Sequence, residues 1–103
     1  MRHAGAEALG RLESVLVALR KRGELKERTP GSFYLRSSGF IHFHEDPSGL
    51  FADLKEDLVT FSRYRATTRT EQRHLVARIM RCLDRASAGI RANRSRPASH
   101  QDR

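Results

Sequence analysis

The sequence predicts an α+β protein, a two-layer sandwich in which an antiparallel β-meander of three to four strands carries an N-terminal and a C-terminal helix on one face. Three observations predict it. Apolar residues recur at helical spacing near both ends, over 4–22 and 68–85. Between them apolar and polar residues alternate with period two. Turn residues punctuate that alternation at the intervals an antiparallel meander needs.

The first helix is expected from Ala4 to Arg22. Gly5, Ala8, Leu9, Leu12, Val15, Leu16 and Leu19 fall on one side of it. Arg20, Lys21 and Arg22 suit the negative end of the helix dipole, and Gly23 is a natural residue just past the last turn. Glu24 to Thr29 reads as a charged connector, closed by Pro30-Gly31.

A hairpin follows. Ser32 to Arg36 and Phe40 to His44 each alternate, and Ser37-Ser38-Gly39 between them suits a three-residue loop with Gly39 in the left-handed region. That register sets Leu35 opposite Ile41, Phe33 opposite Phe43, Tyr34 opposite His42 and Ser32 opposite His44. Asp46-Pro47-Ser48-Gly49 has the residues of a type I turn. It leads into a third strand, Leu50 to Lys55, pairing Ile41 with Leu54, Phe43 with Ala52, His42 with Asp53 and His44 with Phe51. One face is then aliphatic. The other bears Tyr34, Phe40, His42, His44, Phe51 and Asp53. A fourth strand is expected within Val59 to Thr67, where Phe61 and Tyr64 have opposite parity, which a bulge would reconcile.

Thr68-Arg69-Thr70-Glu71 is a capping box. The second helix runs from it to about Arg85, with Leu75, Val76, Ile79, Met80, Leu83 and Ala86 on its apolar face. Residues 1–86 make one domain, and 87–103 read as a disordered basic tail. The expected core is Leu9, Leu12, Leu16 and Leu19, Phe33, Leu35, Ile41 and Phe43, Ala52 and Leu54, and Leu75, Val76, Ile79, Met80 and Leu83.

At 103 residues and 38% hydrophobic content there is room for one modest core and no large enzyme scaffold. Cys82 is the single cysteine, so no disulfide closes within the chain, which fits a reducing, cytoplasmic setting. Its place at the edge of the helical stripe reads as packing rather than catalysis. No apolar run approaches the roughly 20 residues of a membrane span, so no membrane partner is expected. The net charge of +8 is uneven. Residues 31–60 carry two basic and five acidic side chains, whereas 61–86 carry seven and two. Arg outnumbers Lys by 17 to 3. A cationic surface favours an anionic partner without naming it.

Two groups of residues carry chemistry. His42 and His44, at i and i+2 of one strand, project together, with Asp53 across from His42. Two imidazoles and a carboxylate could ligate a divalent metal, or the carboxylate could orient a general base. Local spacing fixes no third strong ligand, so no cofactor or metal is assigned. The plainer reading is a half-exposed polar set on the wet side of a sheet. The second group is the stripe His74, Arg78, Arg81 and Arg85, continued by Arg91, Arg94 and Arg96. Arginine forks suit phosphate oxygens, while a solvated helix face is the plainer reading of the same stripe. Phosphate-binding loops, dinucleotide fingerprints and nucleophile elbows are absent from the sequence.

The order of elements and the run Phe40-Ile41-His42-Phe43-His44 followed by an Asp53-bearing strand resemble small bacterial domains labelled "luciferase family", over residues 9–83. His42, His44 and Asp53 match that family's His-x-His and Asp, while Asp46 to Ala52 depart from its pattern. More distantly the layout is similar to the MmcQ/YjbR group, compared with DNA-binding double-wing domains. Neither resemblance implies an established reaction, and the label implies no light-producing chemistry. The leading expectation is a non-catalytic binding module using Tyr34, His42, His44 and Asp53 toward a small ligand, a protein or a second copy of itself. Nucleic-acid binding through Arg78, Arg81, Arg85 and the tail is one alternative. A metal-dependent or His-based enzyme is the other.

Overall fold

The computed structural model of the chain describes residues 1–95. It is a small α+β protein with one antiparallel sheet and three helices. In chain order the elements are β1 (Arg2–His3), α1 (Ala6–Arg11), α2 (Glu13–Arg20), β2 (Leu25–Thr29), β3 (Ser32–Leu35), β4 (Ser38–Asp46), β5 (Gly49–Leu54), β6 (Ser62–Arg65) and α3 (Arg69–Ser95). The six strands include a meander in the order β2-β3-β4-β5-β6, and β1 pairs with β4.

Two strands exceed the three to four expected. β2 occupies the stretch read as a charged connector. Its charges belong to an edge strand, where Lys and Glu discourage pairing with another chain. The Pro30-Gly31 turn that ends it has Gly31 at φ 81, the conformation a type II turn asks of its third residue. β1 is two residues long and is followed by a backbone bond from the Ala4 N–H to the Phe43 carbonyl, 3.0 Å.

The single expected N-terminal helix is two. Leu12, at φ −100 and ψ 12, interrupts it between α1 and α2. Gly10, a poor helix former, lies in the turn just before the break. Leu12 itself is fully buried. The capping box of α3 forms as its sequence requires. The Glu71 N–H donates to Thr68 Oγ1 (3.1 Å), and the Thr68 N–H donates to Glu71 Oε1 (2.9 Å). α3 continues past the expected end near Arg85 to Ser95, aided by Ala86 and Ala88. Of the expected tail, 96–103 lie outside the described residues.

The two hairpins of β4 differ. With β5 it pairs Ile41–Leu54, His42–Asp53, Phe43–Ala52 and His44–Phe51, each as expected. With β3 the expected register fails: Phe33 lies opposite Ile41, Ser32 opposite His42, and Tyr34 opposite Gly39. The reversal is a two-residue turn at Arg36 (φ 52) and Ser37 (φ 71), the backbone signs of a type I′ turn. Gly39, expected in the left-handed region, lies within β4. A bulge falls between the Phe33–Ile41 and Tyr34–Gly39 pairs, and Phe40 is the extra residue. Phe40, expected beside the histidines, is instead 1% exposed and in the core. The β5–β6 pairing runs without a bulge, because Phe61 lies before β6 begins.

The buried set draws on helices and sheet alike: Leu12, Leu16, Leu19, Phe33, Phe40, Ile41, Phe43, Leu54, Ile79 and Leu83 among them. Val15, Leu50, Ala66 and Cys82 join it beyond expectation, while Leu9, Val76 and Met80 pack at its edge. Each fully buried aliphatic or aromatic side chain contributes about 1.5–3 kcal/mol of transfer free energy. Gln72, one of the few buried polar residues, is satisfied: its amide donates to the carbonyls of Ala66 (3.1 Å) and Arg11 (3.2 Å), tying α1 to α3. Among the described residues no helix is long and apolar enough to cross a membrane.

Candidate functional site

Strand alternation places His42 and His44 on the side of β4 opposite Ile41 and Phe43. Cross-strand partners share a face, so Asp53 and Phe51 of β5 join them, and behind these Arg63 and Arg65 of β6. Ser32 and Tyr34 of β3 lie on the same side. His3, on β1, stands directly across from His44. The four side chains expected to form the site, Tyr34, His42, His44 and Asp53, therefore occupy one surface. They divide into two contact groups.

The first group centres on Asp53. His44 Nε2 lies 3.1 Å from Asp53 Oδ2. Arg63 grips both carboxylate oxygens, Nε donating to Oδ1 (2.7 Å) and Nη2 to Oδ2 (2.9 Å). That fork is the chief reason the carboxyl titrates below its ordinary range, with His44 and His42 adding to it. The His44 ring also stands perpendicular to the His3 ring, with their centroids 6.0 Å apart. His3 Nε2 is in turn 3.2 Å from the Pro30 carbonyl.

The second group centres on His42. Its ring meets Tyr34 edge-on at 6.1 Å and Phe61 at 5.3 Å, and Nδ1 is 3.3 Å from Ser32 Oγ. Although Asp53 is its cross-strand partner, the carboxylate turns toward Arg63 and His44. Burial lowers the His42 pKa below 6.5; His44 and His3 push the same way, Lys55 adds a little, and Asp53 opposes them. His42 is thus held as a neutral, partly buried ring inside an aromatic row.

This arrangement bears on the chemistry open to the face. Asp53 accepts two Arg63 bonds and sits against His44, which uses most of its lone-pair directions. Among the described residues no three His, Cys, Asp or Glu side chains converge to hold a metal ion. Cations edge the surface instead. The Arg28 guanidinium lies 4.7 Å above the Tyr34 ring, Lys55 Nζ 5.0 Å from Phe61 and the Arg65 guanidinium 5.3 Å from Phe51.

The arginine stripe of α3 has a different setting. Arg78 donates to Glu56 Oε2 (2.8 Å) and its guanidinium lies 4.6 Å over Tyr64, whose hydroxyl donates to the other Glu56 oxygen (2.5 Å). Tyr64 and Arg78 together hold the Glu56 carboxyl low, and Glu56 in turn pushes the phenol up. His74, Arg81 and Arg85 are exposed. Arg85 Nη2 approaches the buried Cys82 sulfur at 3.7 Å. Burial raises the Cys82 thiol pKa, the opposite of what a reactive thiolate needs.

Sequence reasoning missed His3, Phe61, Arg63 and Arg65 as members of the histidine surface. Arg63 and Arg65 were legible in principle, since both share parity in a strand that Phe61 obscured. His3 gave no signal, because two residues show no period. No protein-family model, curated protein or solved structure matches the chain.

Proposed function

We propose that this protein is a non-catalytic binding module. The helices and the sheet form two layers, and the sheet face bearing Tyr34, His42, His44 and Asp53 is left to a ligand. The observation that carries this reading is the gathering of three imidazoles, three other aromatic rings and an Arg-clamped carboxylate on one side of one sheet. A contiguous ring-bearing surface rimmed by polar groups is the kind of patch that marks an interaction site. The Arg63–Asp53–His44 chain supports the reading further, because it fixes the face in one arrangement before anything binds. The likeness of His42, His44 and Asp53 to the His-x-His and Asp of the "luciferase family" domains points to the same surface.

The test is a fragment library titrated into isotope-labelled protein and followed by amide shifts. The expected result is that hits cluster on Ser32, Tyr34, His42, His44, Asp53 and Phe61, and that His42→Ala removes them. Hits concentrated instead on the cleft lined by Glu56, Leu58, Cys82 and Arg85 would overturn the assignment.

A further inference from the structure

The rings on the histidine face are not scattered. Tyr34, His42 and Phe61 follow one another at 6.1 and 5.3 Å, making one row across the strands. His3 and His44 follow at 6.0 Å, and Phe51 is the cross-strand partner of His44, making a second. Cations stand over the aromatic members: Arg28 on Tyr34, Lys55 on Phe61, Arg65 on Phe51. Lys26, the partner of Tyr34, adds a fifth positive group beside Arg63. Two of the five are paired, Arg63 with Asp53 and Arg65 with Glu71 (3.2 Å). That leaves Lys26, Arg28 and Lys55 as the cations without a carboxylate partner among the described residues. The face itself bears two carboxylates, both engaged. Asp53 is held by Arg63, and Asp46 Oδ1 accepts from the N–H and hydroxyl of Ser48. Beyond Tyr34, between the ends of β2 and β3 and helix α3, lies a cleft of about 410 Å³ lined by Lys26, Arg28 and Arg36 on the sheet side and by Leu83, Ala86 and Ser87 on the helix side, with Glu24 also in its wall.

We infer that this face binds single-stranded nucleic acid, with unpaired bases stacking on the two ring rows and the phosphates tracking the cations at their margins. The inference rests on the reading of this face as the binding surface and names its ligand class. Bases stack on aromatic rings and on guanidinium planes regardless of sequence, and a positively charged margin follows the backbone. A guanidinium over a ring offers both at once. A duplex keeps its base faces stacked on one another and so offers nothing to the rings, and paired strands gain chiefly the charge attraction. A second copy of this chain would set Lys26, Arg28 and Lys55 against their own copies, which charge opposes. The surface is distinct from the α3 stripe, where Arg78 is bound to Glu56.

The experiment is fluorescence anisotropy with labelled twelve-nucleotide single strands, one RNA arm and one DNA arm, beside the matching duplex and an abasic strand. Either single strand is expected to bind about tenfold or more tighter than the duplex and the abasic strand. The RNA and DNA arms separate the two sources, and a preference for either supports the inference. Phe61→Leu and Tyr34→Leu, which keep apolar bulk, are expected to weaken binding roughly tenfold each. Phe61→Tyr should restore it, and Arg81→Glu should leave it within about twofold. Duplex and single strand binding alike, with loss in Arg81→Glu, would overturn the inference and move the contact to α3. A concentration-dependent dimer with no binding of either strand would overturn it in favour of self-association. If fragments still map to the face while no strand binds, the surface stands and the ligand class fails. If both are lost, the surface itself was wrong.

Discussion

From Ile41 to His44 the two sides of strand β4 alternate residue by residue and are held by different forces. Ile41 and Phe43 are buried at 0% exposure among Leu16, Leu54 and Ile79, where only shape and apolar area count. His42 and His44, one position away, sit at intermediate exposure between rings, a carboxylate and an arginine. The first side answers to the hydrophobic effect, which is indifferent to direction. The second answers to contacts whose value in water is small one by one. Within this stretch the fold should therefore rest on Ile41 and Phe43 and recognition on His42 and His44.

Phe43→Ala against His44→Ala tests that division with the largest expected difference. Truncating a fully buried Phe removes its transfer free energy and leaves a cavity, at a cost of about 3–5 kcal/mol. For a domain of this size that lowers the Tm by more than about 10 °C. His44→Ala leaves Asp53 with its Arg63 fork and should stay within about 0.5 kcal/mol. Urea unfolding of the two variants, with equal losses from both, would break the comparison.

The division was readable in the sequence wherever both partners of a strand pair alternated cleanly. Asp46-Pro47-Ser48-Gly49 admits one register, and in it Ile41, Phe43, Ala52 and Leu54 all coincide. The β3–β4 register was not readable. Gly39 invited a three-residue loop, and the actual turn places Arg36 and Ser37, neither of them the usual choice, at positive φ. A bulge then lets Phe40 and Ile41 both enter the core, which no period-two reading foresees. β2 was hidden because an edge strand with one apolar residue in five looks like a connector. The site followed the same pattern. His42, His44 and Asp53 came from the legible hairpin, whereas His3 and Phe61 reach it from segments without periodicity.

Acid sharpens the comparison next, because the core side carries nothing that titrates, whereas His42 and Asp53 on the other side lose their contributions at different pH. The folded His42 binds its proton less readily than the unfolded chain does, chiefly because it is partly buried. Its contribution is therefore complete above about pH 6.5, the ordinary value, and is lost as the pH falls through that range toward the lower folded value. Asp53 is also lowered, so its contribution is complete above 3.8 and is lost only at more acid pH. Chemical denaturation across the pH range should show both losses in the wild type. His42→Gln should flatten the upper one and leave the lower. The groups facing His42 are His44, His3, Asp53 and Lys55, and an upper slope unchanged in the variant would mean that His42 does not carry the loss.

The smallest effect is the most selective. Gly39 has no side chain where the His42 ring passes. A Cβ there would sit 3.2 Å from His42 Nε2 and 3.6 Å from Phe61 Cζ. The backbone at this position has no positive φ, so Gly39→Ala carries no conformational strain, and the polypeptide gains a little from a stiffer unfolded state. The ring must shift by a few tenths of an ångström, and the spacing of the Tyr34–His42–Phe61 row shifts with it. Stability should stay within about 0.5 kcal/mol. The His42 and Phe61 resonances should move, and oligonucleotide affinity should fall severalfold. The core side of β4 would not register the change. A fall in stability with unchanged affinity would mean that the row is packing, and that the two sides of the strand do the same work.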